Sequence, residues 1–233
     1  MKVVITGFVN TMQKTQRKAG YAYLPFHIFL IPLFLEMLDQ YLPKGIGQTT
    51  QYMVYYGLGL AFCFIVMWGY LRSAYDVLAD NVLKNIVTFI FAYIIYDLLD
   101  YLADALLFVI LGDAVIKSNN AALMNIASGD SKAALGLMWF IAPIIEEILF
   151  RGVLFGSLQP KNRTMAYMVS IAVYALYCIW QYAVALNDWR MLFYMIECIP
   201  VGYALNWLYE KTNCIWMPIF LHMLINIVVT SMG

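Results

Sequence analysis

The chain is patterned in long apolar blocks joined by short polar connections, without the brief amphipathic periods of a water-soluble core. Seven blocks reach the roughly 20 mostly apolar residues that a helix needs to cross a bilayer. They run approximately over residues 21–42, 50–72, 85–112, 134–158, 164–186, 190–209 and 213–231. Together they take up most of the sequence and leave no room for a separate soluble domain. The longest polar connection, 113–132, carries Ser, Asn, Asp and Gly around a short apolar patch suited to the membrane interface. Before the first block, the apolar run is too short for the core of a signal peptide and is followed by Lys14, Arg17 and Lys18. The pattern therefore predicts an all-α, polytopic bundle of about seven transmembrane helices. Residues 1–20 are expected to form a retained cytoplasmic leader, and 21–233 a single transmembrane helical domain.

Composition narrows the class. Of 233 residues, 64% are hydrophobic and 12% charged, about half the charge of a soluble domain, and the mean hydropathy is +0.74. A water-soluble globule and a disordered chain are both excluded. Fourteen basic residues balance fourteen acidic ones and are scattered singly, so no footprint for nucleic acid exists. With the N-terminus inside, nine basic residues (Lys2, Lys14, Arg17, Lys18, Arg72, Lys84, Lys161, Arg163 and Lys211) lie on the inner side and four (Lys44, Lys117, Lys132 and Arg190) outside. The positive-inside rule then predicts N-in and C-out topology. Aromatics such as Tyr21, Tyr23, Tyr41, Trp189, Trp207, Tyr209 and Trp216 gather at the proposed span ends. No internal repeat is evident, which counts modestly against a transporter built on inverted halves. The four cysteines, Cys63, Cys178, Cys198 and Cys214, lack the paired spacing of zinc sites or disulfide frameworks.

The fourth block places Glu146, Glu147 and Arg151 in hydrocarbon. At a helix centre three such charges cost roughly 7 to 10 kcal/mol on insertion scales, while the Leu, Ile, Phe and Val residues of the same block return about 4 to 8. These side chains must therefore face an interior that supplies partners or water. Residues 147 and 151 are four apart on one helix face and can pair, whereas Glu146 points roughly 140° from Arg151. One carboxylate is neutralised and the other is spare, which is what a general base for water requires. Pro143 removes a backbone donor just before them and is expected to kink the helix. A charge network that merely clips helices together is the competing account.

The last block adds His222 and Asn226, four apart on one stripe. From the inner ends of their spans, Glu146 and His222 lie at similar depths, roughly 15 to 20 Å, so they can meet. The fifth block carries a polar stripe of Ser170, Tyr174, Cys178 and Gln181, of which the last three are candidates to line a site. Packing between helices explains that stripe equally well. Asp97, Asp100 and Asp104 form one acidic face of the third block, suited to a substrate groove, to cation binding or to a plain interfacial helix end. Glu36 and Asp39 read as structural, with Glu197 a minor site candidate.

The pair of motifs EExxxR (Glu146, Glu147, Arg151) and HxxxN (His222, Asn226) resembles the CAAX protease and bacteriocin-processing family, also called Abi, over roughly Trp139 to the C-terminus. The resemblance implies an all-helical membrane core, of which 134–233 is the family-like part, and an intramembrane endopeptidase of the bacterial cytoplasmic membrane. Its partner would be a membrane-associated peptide or protein. In that family Glu146 would be the base, Glu147 and Arg151 would order it, and His222 with Asn226 would bind the water or the carbonyl oxyanion. The family's middle motif, an aromatic followed four residues later by His, falls here on Tyr174 and Cys178, with cysteine in place of histidine. Cys178 or Gln181 then replaces that histidine as a water ligand, or Cys178 is itself a nucleophile activated by His222, or catalysis is lost and the protein serves as a partner-binding, immunity or regulatory module. An ion-coupled transporter using the three aspartates and Glu146 is a further alternative. No cofactor is implied, and a metal site is disfavoured: there is no HExxH, and one histidine with two adjacent carboxylates is a thin ligand set. His27, the other histidine of the chain, has no motif around it.

Overall fold

The structure is a computed structural model, and it describes residues 7–42, 45, 47–111, 132–185 and 187–232. The expected connection over 113–131 and the first six residues of the expected leader lie outside the described residues. Among those described, the chain is all-helical, with no strand. Eight continuous helical stretches follow one another: α1 (Lys14–Tyr41), α2 (Gln48–Val66), α3 (Trp68–Asp80), α4 (Val82–Leu111), α5 (132–158), α6 (Arg163–Ala185), α7 (Trp189–Thr212) and α8 (Trp216–Met232). By length and composition α1, α6, α7 and residues Thr49–Val66 of α2 are able to cross a membrane.

Two boundaries differ from the sequence expectation for identifiable reasons. The first helix begins at Lys14, inside the expected leader, because the Gln16 side chain accepts from the Gln13 N–H at 3.1 Å and closes the first turn. The expected block 50–72 breaks at Met67, whose φ of −100° and ψ of 2° leave the helical region and end α2 one residue before α3 begins. Other ends follow ordinary capping chemistry. The Asn162 side chain accepts from Met165 N at the start of α6, and that of Asp188 from Arg190 N at the start of α7. Helix α7 stops at Asn213, in the left-handed conformation that asparagine tolerates (φ 54°). The Asn213 carboxamide also holds the chain entering α1, accepting from Val9 N at 2.9 Å.

The core is built around α5. Every residue from 145 to 157 is buried, and α1, α2, α6, α7 and α8 all pack against this helix. Close approach depends on small residues where neighbours cross it. Gly20 of α1 lies against Val153, and Gly59 of α2 faces Ile145 so tightly that an added Cβ would stand 2.7 Å from Ile145 Cδ1. The outside is apolar. On α4, Ile86, Ile90, Ile94, Leu98, Leu102 and Leu106 form a stripe at every fourth residue, each about half exposed. A continuous exposed apolar face of this length suits lipid and not water.

Helix α5 is not a regular α-helix. Two π-helical stretches, Leu137–Ile141 and Ile148–Phe155, flank a short α-helical turn, Ala142–Glu147, that carries Pro143 and both glutamates. The expected disturbance at Pro143 is thus absorbed by a widened turn before it, with the proline in the first turn of the next segment, where its missing N–H is tolerated. Carbonyls of the widened turns are met by side chains from elsewhere. Asn226 Nδ2 donates to Met138 O at 3.0 Å, Ser170 Oγ to Phe150 O at 3.3 Å, and Asn10 Nδ2 to Gly152 O at 3.0 Å.

The crossing of α2 over α5 predicts a stability contrast between two nearby glycines. Gly59→Leu should destabilise the protein by about 1 to 3 kcal/mol through overpacking against Ile145. Gly57→Leu, where nothing stands within 4 Å, should leave the melting temperature in detergent unchanged. Equal melting temperatures for the two variants would refute this packing.

Candidate active site

The side chains singled out by the two motifs converge inside the core. Glu147 and Arg151 are both fully buried, and Arg151 Nη1 donates to Glu147 Oε1 at 2.9 Å. A guanidinium shielded from water needs more than one partner. Arg151 Nη2 also lies 3.5 Å from Gly202 O on α7, and the Tyr174 ring of α6 lies 4.4 Å from the guanidinium carbon. The same Glu147 oxygen accepts from His222 Nδ1 on α8 at 2.7 Å. This hydrogen bond fixes the imidazole tautomer: with its proton on Nδ1, neutral His222 presents Nε2 as an acceptor.

His222 Nε2 faces the other glutamate, 3.8 Å from Glu146 Oε2. The second oxygen of Glu146 accepts from the Tyr177 hydroxyl at 3.1 Å. The Tyr174 hydroxyl stands 3.5 Å from His222 Nε2. At 3.8 Å the two bases are too far apart for a direct hydrogen bond and close enough for one water to bond to both. The pairing expected from helix geometry is present: Glu147 is tied to Arg151, while Glu146 is held by the Tyr177 hydroxyl and points toward the histidine.

A cavity of ≈150 Å³ opens beside this centre, and its lining includes His222, Asn226, Tyr174, Tyr96, Asp100 and Glu197. Two acidic residues given minor or alternative roles by the sequence, Asp100 and Glu197, thus border the same space as His222. Asn226 is half-buried and spends one amide hydrogen on Met138 O. Cys178 lies against Cys198 and Tyr174. Among the described residues no hydrogen bond joins Cys178 to His222. Gln181 is exposed and outside the cluster. It shares a face with Tyr174 but lies nearly two turns further toward the end of α6.

Tyr177, which touches Glu146 directly, stands outside the sequence stripe. Its only signal is its place three residues after Tyr174 on an adjacent face of the same helix. Tyr55 and His27, which continue the hydrogen bonds beyond Tyr177, gave no local signal at all. Among the described residues no group of three or more His, Cys, Asp or Glu side chains is placed to hold a metal ion.

The fold and this centre define an integral membrane helix bundle with a glutamate, histidine and arginine network buried in its core. Residues 129–228 match the family described as Type II CAAX prenyl endopeptidase Rce1-like. The resemblance drawn from EExxxR and HxxxN to the CAAX protease and bacteriocin-processing family therefore holds over this part of the chain. A 93-residue stretch is 32% identical to the Bacillus subtilis (strain 168) protein named "Putative membrane peptidase YdiL", covering 40% of this chain. The aligned stretch spans about one third, 34%, of that relative's length. No solved structure gives a significant match.

The network predicts unequal costs for its two ends. Arg151→Leu leaves the buried Glu147 without its cation and should destabilise by about 3 to 5 kcal/mol. In detergent this should lower the melting temperature by on the order of 10 °C. Glu146→Gln keeps an oxygen for Tyr177 and should melt close to the parent. If the order is reversed, Glu146 and not Glu147 carries the structural charge.

Proposed function

We propose that this protein is an intramembrane endopeptidase that hydrolyses a peptide bond of a membrane-associated peptide or protein, using water activated by Glu146. The observation that carries this reading is the approach of Glu146 Oε2 to His222 Nε2 at 3.8 Å, a separation that one water can bridge. Water placed there gives one hydrogen to each base, and its oxygen lone pair points away toward a substrate carbonyl.

In the first step the water O–H breaks, its proton goes to Glu146 Oε2, and the oxygen bonds to the carbonyl carbon. The negative charge then moves to the carbonyl oxygen. Asn226 lines the adjacent cavity with a second amide hydrogen and is the donor for that oxyanion, a role typically worth about 3 to 4 kcal/mol. Collapse of the intermediate breaks the C–N bond, and Glu146 returns its proton to the departing amine. His222, held through Nδ1 by Glu147, orients the water in preference to donating to the oxyanion, because its free nitrogen is an acceptor. Arg151 and Glu147 act through His222 and touch no reacting atom. Cys178, in place of the family's middle histidine, packs beside the site and takes no proton.

This reading places the chain in the bacterial cytoplasmic membrane with seven crossings and the N-terminus inside, as one domain beyond the leader. The matched family's description names prenylated CAAX proteins as the kind of substrate to try first. A second reading, a catalytically silent module that binds a membrane partner, is favoured by Cys178 standing where the family has histidine. In that case Glu146→Gln leaves the cellular phenotype intact, while bulky substitutions on the lipid-facing stripe of α4 disrupt it.

The deciding experiment incubates the purified protein in proteoliposomes with a farnesylated CAAX peptide and a proteome-derived peptide library, and reads new termini by mass spectrometry. Cleavage by the parent that disappears in Glu146→Gln, with folded yield retained, is the expected result. Absence of any cleavage by the parent, or cleavage that survives Glu146→Gln, rejects the glutamate-activated mechanism.

A further inference from the structure

Glu146 is reached by a second chain of hydrogen bonds that no motif contains. The Tyr177 hydroxyl, which donates to Glu146 Oε1 at 3.1 Å, lies 3.4 Å from the Tyr55 hydroxyl of α2. Tyr55 in turn stands 2.9 Å from Nε2 of His27 on α1. His27 is fully buried, and its ring stacks on that of Tyr55 with centroids 4.5 Å apart and on that of Tyr177 at 5.7 Å. Three helices, α1, α2 and α6, thus deliver one polar line to a single carboxylate oxygen.

The direction of this line follows from donor accounting. His27 Nδ1 has no hydrogen-bond partner among the described residues. A buried N–H left without an acceptor is rarer than a bare acceptor, so the imidazole proton belongs on Nε2, where the Tyr55 oxygen receives it. Tyr55 then shares its own proton between the His27 carbonyl at 3.0 Å and the Tyr177 hydroxyl at 3.4 Å. Tyr177 is left to direct its proton at Glu146 Oε1. With that oxygen engaged, Oε2 is the one that faces His222.

His27 sits in a π-helical turn, Phe26–Leu30, that lies between Pro25 and Pro32 and absorbs Pro32 as Leu137–Ile141 absorbs Pro143. The other two such stretches in the described chain carry Arg151 and the Met138 carbonyl held by Asn226. Widened turns are costly and recur where side chains must be aimed. A histidine packed only for shape would not need a ring nitrogen aligned on a hydroxyl.

We propose that His27 is a positioning residue for Glu146, acting through Tyr55 and Tyr177 to fix which carboxylate oxygen faces His222. Its kinetic consequence rests on the peptidase reading above; its hydrogen-bond pattern does not. The chain has two histidines, so protein labelled with ¹⁵N-histidine in nanodiscs gives two imidazole signals, assigned by His27→Gln. His27 should report a proton on Nε2 and a bare Nδ1. Glu146→Gln should shift the His27 signal, and Tyr55→Phe should abolish that response. A proton on Nδ1, or a His27 signal blind to Glu146→Gln, overturns the proposal.

The second arm uses whichever library peptide the parent cleaves. His27→Leu should lower kcat by about ten- to a hundredfold with little change in KM. His27→Gln, whose amide can still donate to Tyr55, should recover most of the loss. The double variant Tyr55→Phe with His27→Leu should be no worse than the more impaired single variant, since one line is cut once. Additive losses, or a parent-like kcat for His27→Leu, overturn the proposal while leaving the peptidase reading standing. If the parent cleaves nothing, the peptidase reading falls and the imidazole signals still decide the hydrogen-bond line.

Discussion

One carboxylate oxygen, Oε1 of Glu147, receives both the Arg151 guanidinium and the His222 imidazole, and the rest of the centre depends on that double acceptance. A charge pair excluded from water is a poor source of stability compared with apolar packing, so its presence in the most buried helix asks for a reason. The geometry supplies one. Arg151 and His222 Nδ1 meet on this one oxygen, and His222 Nε2 is thereby turned toward Glu146 and the Tyr174 hydroxyl. The Tyr174 ring and the Gly202 carbonyl complete the surroundings of Arg151, which binds α6 and α7 into the same arrangement. Removal of the cation would therefore disturb the tautomer of a histidine that it does not touch.

The widened turns of α5 are the backbone counterpart of this network. A regular α-helix through Pro143 would clash with the preceding turn and leave carbonyls without partners. The π-helical stretch before it relieves that conflict, and Asn226, Ser170 and Asn10 bind carbonyls within the two widened stretches of the helix. Asn226 illustrates the economy of the arrangement. One amide hydrogen secures the backbone beside Met138, while the side chain also borders the cavity that His222 lines. Packing and candidate chemistry are here properties of the same atoms.

The matched region, 129–228, contains the glutamates, the arginine, the histidine and the asparagine, yet the environment of Glu146 is completed from outside it. Tyr55 and His27 come from the first two helices, which carry no motif. Helix α4 contributes Tyr96 and Asp100 to the cavity wall while its opposite face is an apolar stripe. The N-terminal helices are thus more than a lipid-facing wrapper. They bring Tyr55 and His27 up behind Tyr177, whose hydroxyl bonds to Glu146.

The sequence by itself determined the all-helical membrane class, the location of the charged centre, and which of two adjacent glutamates pairs with Arg151. These follow from local rules: about 20 apolar residues to span a bilayer, the cost of charge in hydrocarbon, and about 100° of rotation per helical residue. Such rules reach four or five residues along one helix, far enough to pair Glu147 with Arg151 and to set His222 beside Asn226. They do not reach between helices. That Cys178 turns to Cys198, that Gln181 leaves the core, that Tyr177 takes Glu146 and that His27 stands behind it were decided only by the tertiary structure. Helix rotation and crossing distance, set by contacts such as Gly59 on Ile145, fix which faces meet, and no spacing within a single segment encodes them.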